Sequence, residues 1–286
     1  MTVAPNLETT LERSGLSFHV EHYRPEKDAS LAVISMHGFS AHCGLYRHVG
    51  HALAARGIAV TQFDGRGHGR SSGRRGHVDA FTDYLDDLAM VVKWARARHP
   101  SLPWALMGHS LGCTIVASFV LDEQRTEKPS RMVMVAPWLK LKMKVPAPKR
   151  LAANVMAKIA PTFSSWNGLR AENLSRNPAA VAGFAKDPLI FHQATAGGFM
   201  ATLRAQAYVR THAQDLDLPT LLLVAGDDRI VANEANLGFA QGAGAIVAVK
   251  TYHGLFHELY LEPEAETVIR DIGDWLLSPL SQKQTA

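Results

Sequence analysis

The chain predicts an α/β fold, with a mainly parallel central sheet and helices on both faces. Three observations carry that expectation. Short, continuous apolar runs recur along the sequence: Leu31–Met36 (LAVISM), Ile58–Phe63 (IAVTQF), Arg131–Ala136 (RMVMVA) and Thr220–Ala225 (TLLLVA). Runs without polar alternation are what strands covered on both faces require. Stretches of helical length separate them, the order that builds a parallel sheet. At 286 residues with 47% hydrophobic residues, the chain is long enough to bury one large core.

Taken in order, Gly15–Tyr23 alternates as a strand. Leu31–Met36 ends in the tight exit His37-Gly38-Phe39-Ser40. Leu45–Arg56 reads as a helix closed by Gly57, and Asp79–Arg98 as a longer one with Tyr84, Leu85, Leu88, Val91, Val92 and Ala95 at helical spacing. Between them, Asp64–Gly73 (DGRGHGRSSG) is glycine-rich. It lacks the Gly-Lys-Ser/Thr ending of a phosphate loop, and its glycines do not open a helix in a dinucleotide pattern.

The stretch Trp104–Val120 (WALMGHSLGCTIVASFV) has strand, tight turn and buried helix in succession. Its turn, Gly108-His109-Ser110-Leu111-Gly112, fits G-x-S-x-G. That context suits a nucleophile elbow: the serine stands at the apex, and the glycines leave out side chains that would strike the neighbouring strand and helix. From Pro137 the pattern changes. Lysines alternate with apolar residues (LKLKMKV), prolines follow, and Leu151, Val155, Met156 and Ile159 form an amphipathic stripe ended by Pro161. The segment to about Thr195 has no strand-like run and reads as a helical insertion. Residues 137–195 are thus expected as a cap on a core formed by 1–136 and 196–286. Gly198–His212 returns as a helix, Asn233–Gln241 is a short helix, Ala245–Tyr252 a strand, and Glu264–Leu277 an amphipathic closing helix.

Composition narrows the partners. The net charge of +4 is mild and no nucleic-acid motif accompanies it, so nucleic acid is not expected. Two cysteines, Cys43 and Cys113, make no disulfide framework. No signal-peptide pattern and no apolar run near the ~20 residues of a spanning helix is present, so a cytoplasmic protein is expected. No H-E-x-x-H or comparable ligand spacing argues for a metal.

A serine hydroxyl needs a base to take its proton and a carboxylate to hold that base. Asp227-Asp228 follow the strand Thr220–Ala225, and His257 lies in the loop after Ala245–Tyr252. The chain order serine, acid, histidine, with the last two in loops after strands, fits Ser110, Asp228 and His257. Asp227 competes as the acid. His253 competes as the base, although it stands at the strand's end. His37, His68 and His109 fit better as pocket-lining or hydrogen-bonded residues than as bases.

In this order, HGFSAHCGLY, DGRGHGRSSG, GHSLG, LSRNPAAVAGFAKDPLI, GDDRIV and GLFHELYLEPE resemble the monoacylglycerol lipase and lysophospholipase branch of the α/β hydrolases, from about residue 15 to 278. The resemblance implies the α/β-hydrolase fold with a helical cap. It implies Ser110 as nucleophile and His257 as base. It favours Asp228 over Asp227, because the family's acid precedes an Arg or Lys and a hydrophobic run, here Asp228-Arg229-Ile230-Val231. It also implies an oxyanion hole from the backbone N–H groups of Phe39 and Leu111, and no cofactor or metal.

The pattern departs from the family where a Glu and an Arg after His-Gly are expected to bind glycerol hydroxyls. Ala41 and Leu45 stand there, and Tyr260 stands where a further polar residue, typically His, is expected. A site stripped of those donors and acceptors discriminates less for hydroxyls. His37, His109, Leu45, Tyr260, Leu151, Val155, Met156 and Ile159 are the expected substrate contacts, with Phe163 beside the cap stripe.

The expected activity is hydrolysis of single-acyl lipid esters through an acyl-enzyme. Short-chain esterase, amidase or aminopeptidase, and acyltransferase chemistry are alternatives on the same triad. Lys140, Lys142, Lys144, Lys149 and Arg150 beside the apolar cap stripe suit transient contact with a micelle or membrane surface.

Overall fold

The computed structural model describes residues 5–142 and 147–279. Its centre is an eight-stranded sheet in the order β1-β2-β4-β3-β5-β6-β9-β10. The strands are β1 (Leu7–Arg13), β2 (Leu16–Tyr23), β3 (Leu31–Met36), β4 (Ile58–Phe63), β5 (Trp104–His109), β6 (Arg131–Val135), β9 (Thr220–Ala225) and β10 (Val247–Tyr252). From β4 to β10 all neighbours are parallel; β1 and β2 add an antiparallel edge. The α/β architecture is as expected. β1 was not anticipated: its partly exposed LETTLER has too little apolar contrast to mark a strand.

The period-2 alternation of the strands sorts the core into two layers. Ile34, Met36, Leu106, Met132, Met134, Leu222 and Val224 point to one face. There they meet α2 (Thr82–Arg98), α3 (Leu111–Leu121), α6 (Ala196–Thr211) and α7 (Asn233–Ala243). Val33, Ala105, Met107, Val133, Val135, Leu221 and Leu223 point to the other, against α1 (Arg47–Ala54) and α8 (Ala265–Leu277). Every residue of α3 is buried. A helix apolar all round has no face to give to solvent, and LGCTIVASFVL obeys that rule. Truncating a central side chain such as Leu106 to Ala would cost about 2–5 kcal/mol.

Pro137–Thr195 carries α4 (Ala147–Ile159) and α5 (Pro178–Lys186), and contains a two-stranded antiparallel sheet of β7 (Ser164–Trp166) and β8 (Gln193–Thr195). The expectation of a wholly helical insertion is therefore corrected. Strands of three residues are too short to show a period, and only the closure of the insertion on itself pairs them. Lys144 and the side chains of Lys149 and Arg150 lie outside the described residues. Among the described residues, no helix is long and apolar enough to cross a membrane.

Candidate active site

The carboxyl ends of the parallel strands gather the site, the edge at which such sheets place their ligands. β5 runs into Ser110, whose backbone is held at φ 51°, ψ −113°. A left-handed serine is strained, and its surroundings fix it. Its N–H donates to the Val135 carbonyl on β6, and its carbonyl accepts from Cys113 and Trp138 N–H groups. The flanking glycines leave no room for a side chain. A Cβ on Gly112 would lie 2.2 Å from the Met36 carbonyl oxygen, and one on Gly108 would lie 2.5 Å from the backbone of Gly112.

After β9, Asp228 turns inward and is fully buried, whereas Asp227 is exposed. Oδ1 of Asp228 accepts the backbone N–H groups of Ile230 and Val231 at 2.7 and 2.8 Å. Oδ2 is 2.7 Å from Nδ1 of His257, and Nε2 of His257 is 2.9 Å from Oγ of Ser110. With the carboxylate as acceptor, Nδ1 carries the proton and Nε2 accepts from the serine hydroxyl. His253 is exposed at the end of β10. The alternatives left open by sequence thus separate by burial: of Asp227 and Asp228, and of His253 and His257, Asp228 and His257 are buried toward Ser110 and the other two are exposed.

The electrostatics follow the same line. Burial works against the charged form of His257, but the Asp228 carboxylate and its hydrogen bond more than offset it, with Glu258 adding to them. The imidazole is thereby held above its ordinary pKa. Burial also opposes ionisation of Asp228, yet the facing imidazole and the two N–H donors hold its carboxyl below the usual value. Such a pair accepts a proton at Nε2 while keeping the carboxylate ionised.

Ser110 and His257 open onto a narrow cavity of about 60 Å³. Its wall is mostly apolar, with Trp138, Leu141, Leu174, Phe184, Phe199 and Ile230 among its residues, and His109, Phe39 and Glu258 also face it. The backbone N–H of Leu111 is the first of α3, where helix geometry provides no internal acceptor.

Several expected contacts are placed elsewhere. His37 lies outside the cavity wall: Nδ1 donates to the Gly38 carbonyl at 2.7 Å and Nε2 accepts from Gly65 N–H at 2.9 Å. Burial drives its pKa to about 3, so the ring is a neutral brace between two loops. Leu45 packs between core clusters. Tyr260 is buried behind the wall, with its ring 5.4 Å from that of Tyr46 and 5.8 Å from that of His109. None of Leu151, Val155, Met156 and Ile159 lines the cavity. Leu151, Val155 and Ile159 are 66%, 48% and 72% exposed, because α4 turns its apolar stripe outward.

The apolar wall instead comes from Phe184 on α5, Phe199 on α6 and residues outside the helices such as Trp138, Leu141 and Ile230, which share no single period in the sequence. Glu258, next to the expected base, could have been noticed as an acid in an apolar context. No disulfide joins the buried Cys43 and Cys113.

The chain matches the family described as serine aminopeptidase, S33, over residues 27–264. A monoacylglycerol lipase of Mycolicibacterium smegmatis is 32% identical over 93% of this chain and 95% of its own length. The crystal structure of Paleococcus ferrophilus monoacylglycerol lipase superposes with a TM-score of 0.82 at 27% identity, covering 91% of this chain and 98% of the other. A soluble variant of monoglyceride lipase from Saccharomyces cerevisiae has a TM-score of 0.85 at 21% identity over 100% and 97%, a likeness of fold. With its parallel sheet, elbow and edge loops, the chain belongs to the α/β-hydrolase superfamily in the monoacylglycerol lipase branch, and is a carboxylic-ester hydrolase.

Proposed function

We propose that the chain hydrolyses single-acyl lipid esters, of the monoacylglycerol or lysophospholipid type, through an acyl-enzyme on Ser110. The observation that carries this reading is the unbroken path Asp228–His257–Ser110, with separations of 2.7 and 2.9 Å, opening onto a narrow apolar cavity. In the first half-reaction, Ser110 Oγ attacks the ester carbonyl as its proton passes to His257 Nε2. The backbone N–H groups of Phe39 and Leu111 meet the oxyanion that forms. Collapse releases the alcohol, which takes the proton from His257, and leaves an ester on Ser110. Water then repeats the sequence, with His257 as base, to free the fatty acid. Asp228 stays ionised throughout and orients the ring.

Residues 137–195 act in this reading as a lid over the sheet edge. Its inner face is tied down on both sides of the site. His42 Nε2 lies 2.9 Å from Asp187 Oδ2, and Glu258 N–H donates to the Leu174 carbonyl at 2.8 Å. Its outer face presents Leu151, Val155, Ile159 and Phe163 with Lys140 at its base, a surface suited to transient contact with lipid aggregates.

The test is turnover of monooleoylglycerol, oleoyl-lysophosphatidylcholine and a short p-nitrophenyl ester by the wild type and by Ser110→Ala. Lipid turnover that disappears in the variant is the expected result. Cleavage of the short ester alone would replace the reading with a small-ester carboxylesterase, and activity surviving in Ser110→Ala would remove the nucleophile assignment.

A further inference from the structure

Among the described residues, the buried carboxylates other than Glu258 are each matched by a close basic side chain or by two backbone N–H groups. Glu21 is held by the Arg47 guanidinium, Asp87 by Arg13 and Arg66, Glu262 by Arg176 and Asp228 by His257. Asp64 is saturated by backbone N–H groups of Cys43 and Arg70, each at 2.7 Å. Glu258, 3% exposed, is the exception. Its Oε2 accepts the Tyr46 hydroxyl at 3.0 Å; its basic neighbours are two imidazoles, His109, with Nε2 at 3.7 Å, and the adjoining His257. His109 Nε2 also lies 3.3 Å from the His257 carbonyl, and burial holds that imidazole toward its neutral form. Oε1 of Glu258 takes no hydrogen bond among the described residues and is not one of their fully enclosed unpaired polar atoms, as fits a side chain on the cavity wall.

A buried carboxylate left with one short hydrogen bond is costly unless something completes it. Glu258 faces the cavity shared by Ser110 and His257, and is the only carboxylate among the residues lining it. The missing partner therefore arrives from the cavity side. It sits beside the catalytic base, where the leaving alcohol must stand to take its proton. A hydroxyl suits this position better than an ammonium, because a narrow apolar cavity penalises desolvation of a cation far more than of an O–H group.

We propose that Glu258 accepts a hydrogen bond from a free hydroxyl on the leaving alcohol, so that the enzyme selects esters of polyhydric alcohols over esters of the same acid with a plain alkyl alcohol. This rests on the reading of Ser110 and His257 as the ester-cleaving pair. It supplies, from a different residue, the hydroxyl recognition that Ala41 and Leu45 lack.

The experiment compares kcat/KM for 1-monooleoylglycerol and propyl oleate, dispersed in the same micelles, in wild type, Glu258→Gln and Glu258→Leu. The wild type should favour the glycerol ester. That preference should fall about tenfold or more in Glu258→Leu, the loss of one charge-assisted hydrogen bond, and by less in Glu258→Gln, mainly through KM. If Glu258→Leu does not fold, the isosteric Glu258→Gln carries the comparison.

Equal losses on both esters, with the preference intact, would overturn the proposal and reduce Glu258 to support of the histidine loop. A wild-type preference for the oleoyl ester of ethanolamine that Glu258→Gln abolishes would overturn it in favour of cation recognition. Failure of the underlying reading looks different: the wild type cleaves neither ester, or Ser110→Ala cleaves both.

Discussion

The turn after β5 and the outer helix of the insertion are built on opposite terms. At the turn, all eleven residues of α3 are buried, Ser110 is held at φ 51°, and Gly108 and Gly112 touch backbone where any Cβ would collide. On α4, an equally regular apolar pattern is turned to the outside, with Ile159 72% exposed. The comparison separates two kinds of sequence signal. A pattern enforced by backbone geometry has one structural solution, and G-x-S-x-G between a strand and an apolar helix is such a pattern. An apolar stripe states only that a helix has two unlike faces; it does not say whether the greasy face meets protein, substrate or lipid.

The comparison can be broken most severely at the turn. Ser110→Ala should lower ester hydrolysis by about 10⁵–10⁶-fold while leaving the fold and lipid binding in place, measured by turnover alongside a fluorophosphonate label that no longer attaches. Retained labelling would place the nucleophile elsewhere. Asp228→Asn should cost about 10⁴-fold in kcat through loss of the correct tautomer.

The pH profile of that variant sharpens the point. The raised pKa of His257 puts the acid limb of wild-type kcat/KM above 6.5, because the base works only when neutral. Without the Asp228 charge, burial is opposed by Glu258 alone and the limb should move to lower pH. An unmoved limb would mean that another group sets it.

The same pair contributes to folding, and the signs differ. The raised His257 stabilises the fold below its unfolded value of about 6.5 and ceases to as pH rises through the higher folded value. The depressed Asp228 stabilises above about 3.9 and ceases to as pH falls through its lower folded value. The contribution is therefore greatest between about pH 4 and 6.5.

Gly112→Ala tests geometry rather than chemistry. Its Cβ meets the Met36 and His37 carbonyl oxygens at 2.2 and 2.7 Å, so denaturant unfolding should show a loss of about 3 kcal/mol, together with reduced turnover as the loop after β3 shifts. The smallest effect belongs to α4. Replacing Leu151, Val155 and Ile159 with Ser should weaken co-sedimentation with anionic vesicles by about tenfold and slow lipid turnover more than short-ester turnover. Equal slowing of both would instead mean that the stripe supports the fold.

The sequence by itself determined the central strands, the elbow and the loops that carry its partners. Continuous apolar runs have one use in a chain of this size, and glycines flanking a serine between strand and helix state a steric requirement. It also marked Asp227 and Asp228, His253 and His257, as the groups among which the site must choose. Tertiary structure separates them, since Asp228 and His257 turn under the sheet edge toward Ser110 while Asp227 and His253 face solvent. Tertiary structure likewise sent α4 outward, recruited Trp138, Leu174 and Phe184 to the cavity, paired β7 with β8, and set Glu258 beside His257 on the cavity wall. Local pattern fixes which face of an element is apolar and which turn it can adopt. What that face meets depends on contacts between residues far apart in the chain, and no window of sequence contains both partners.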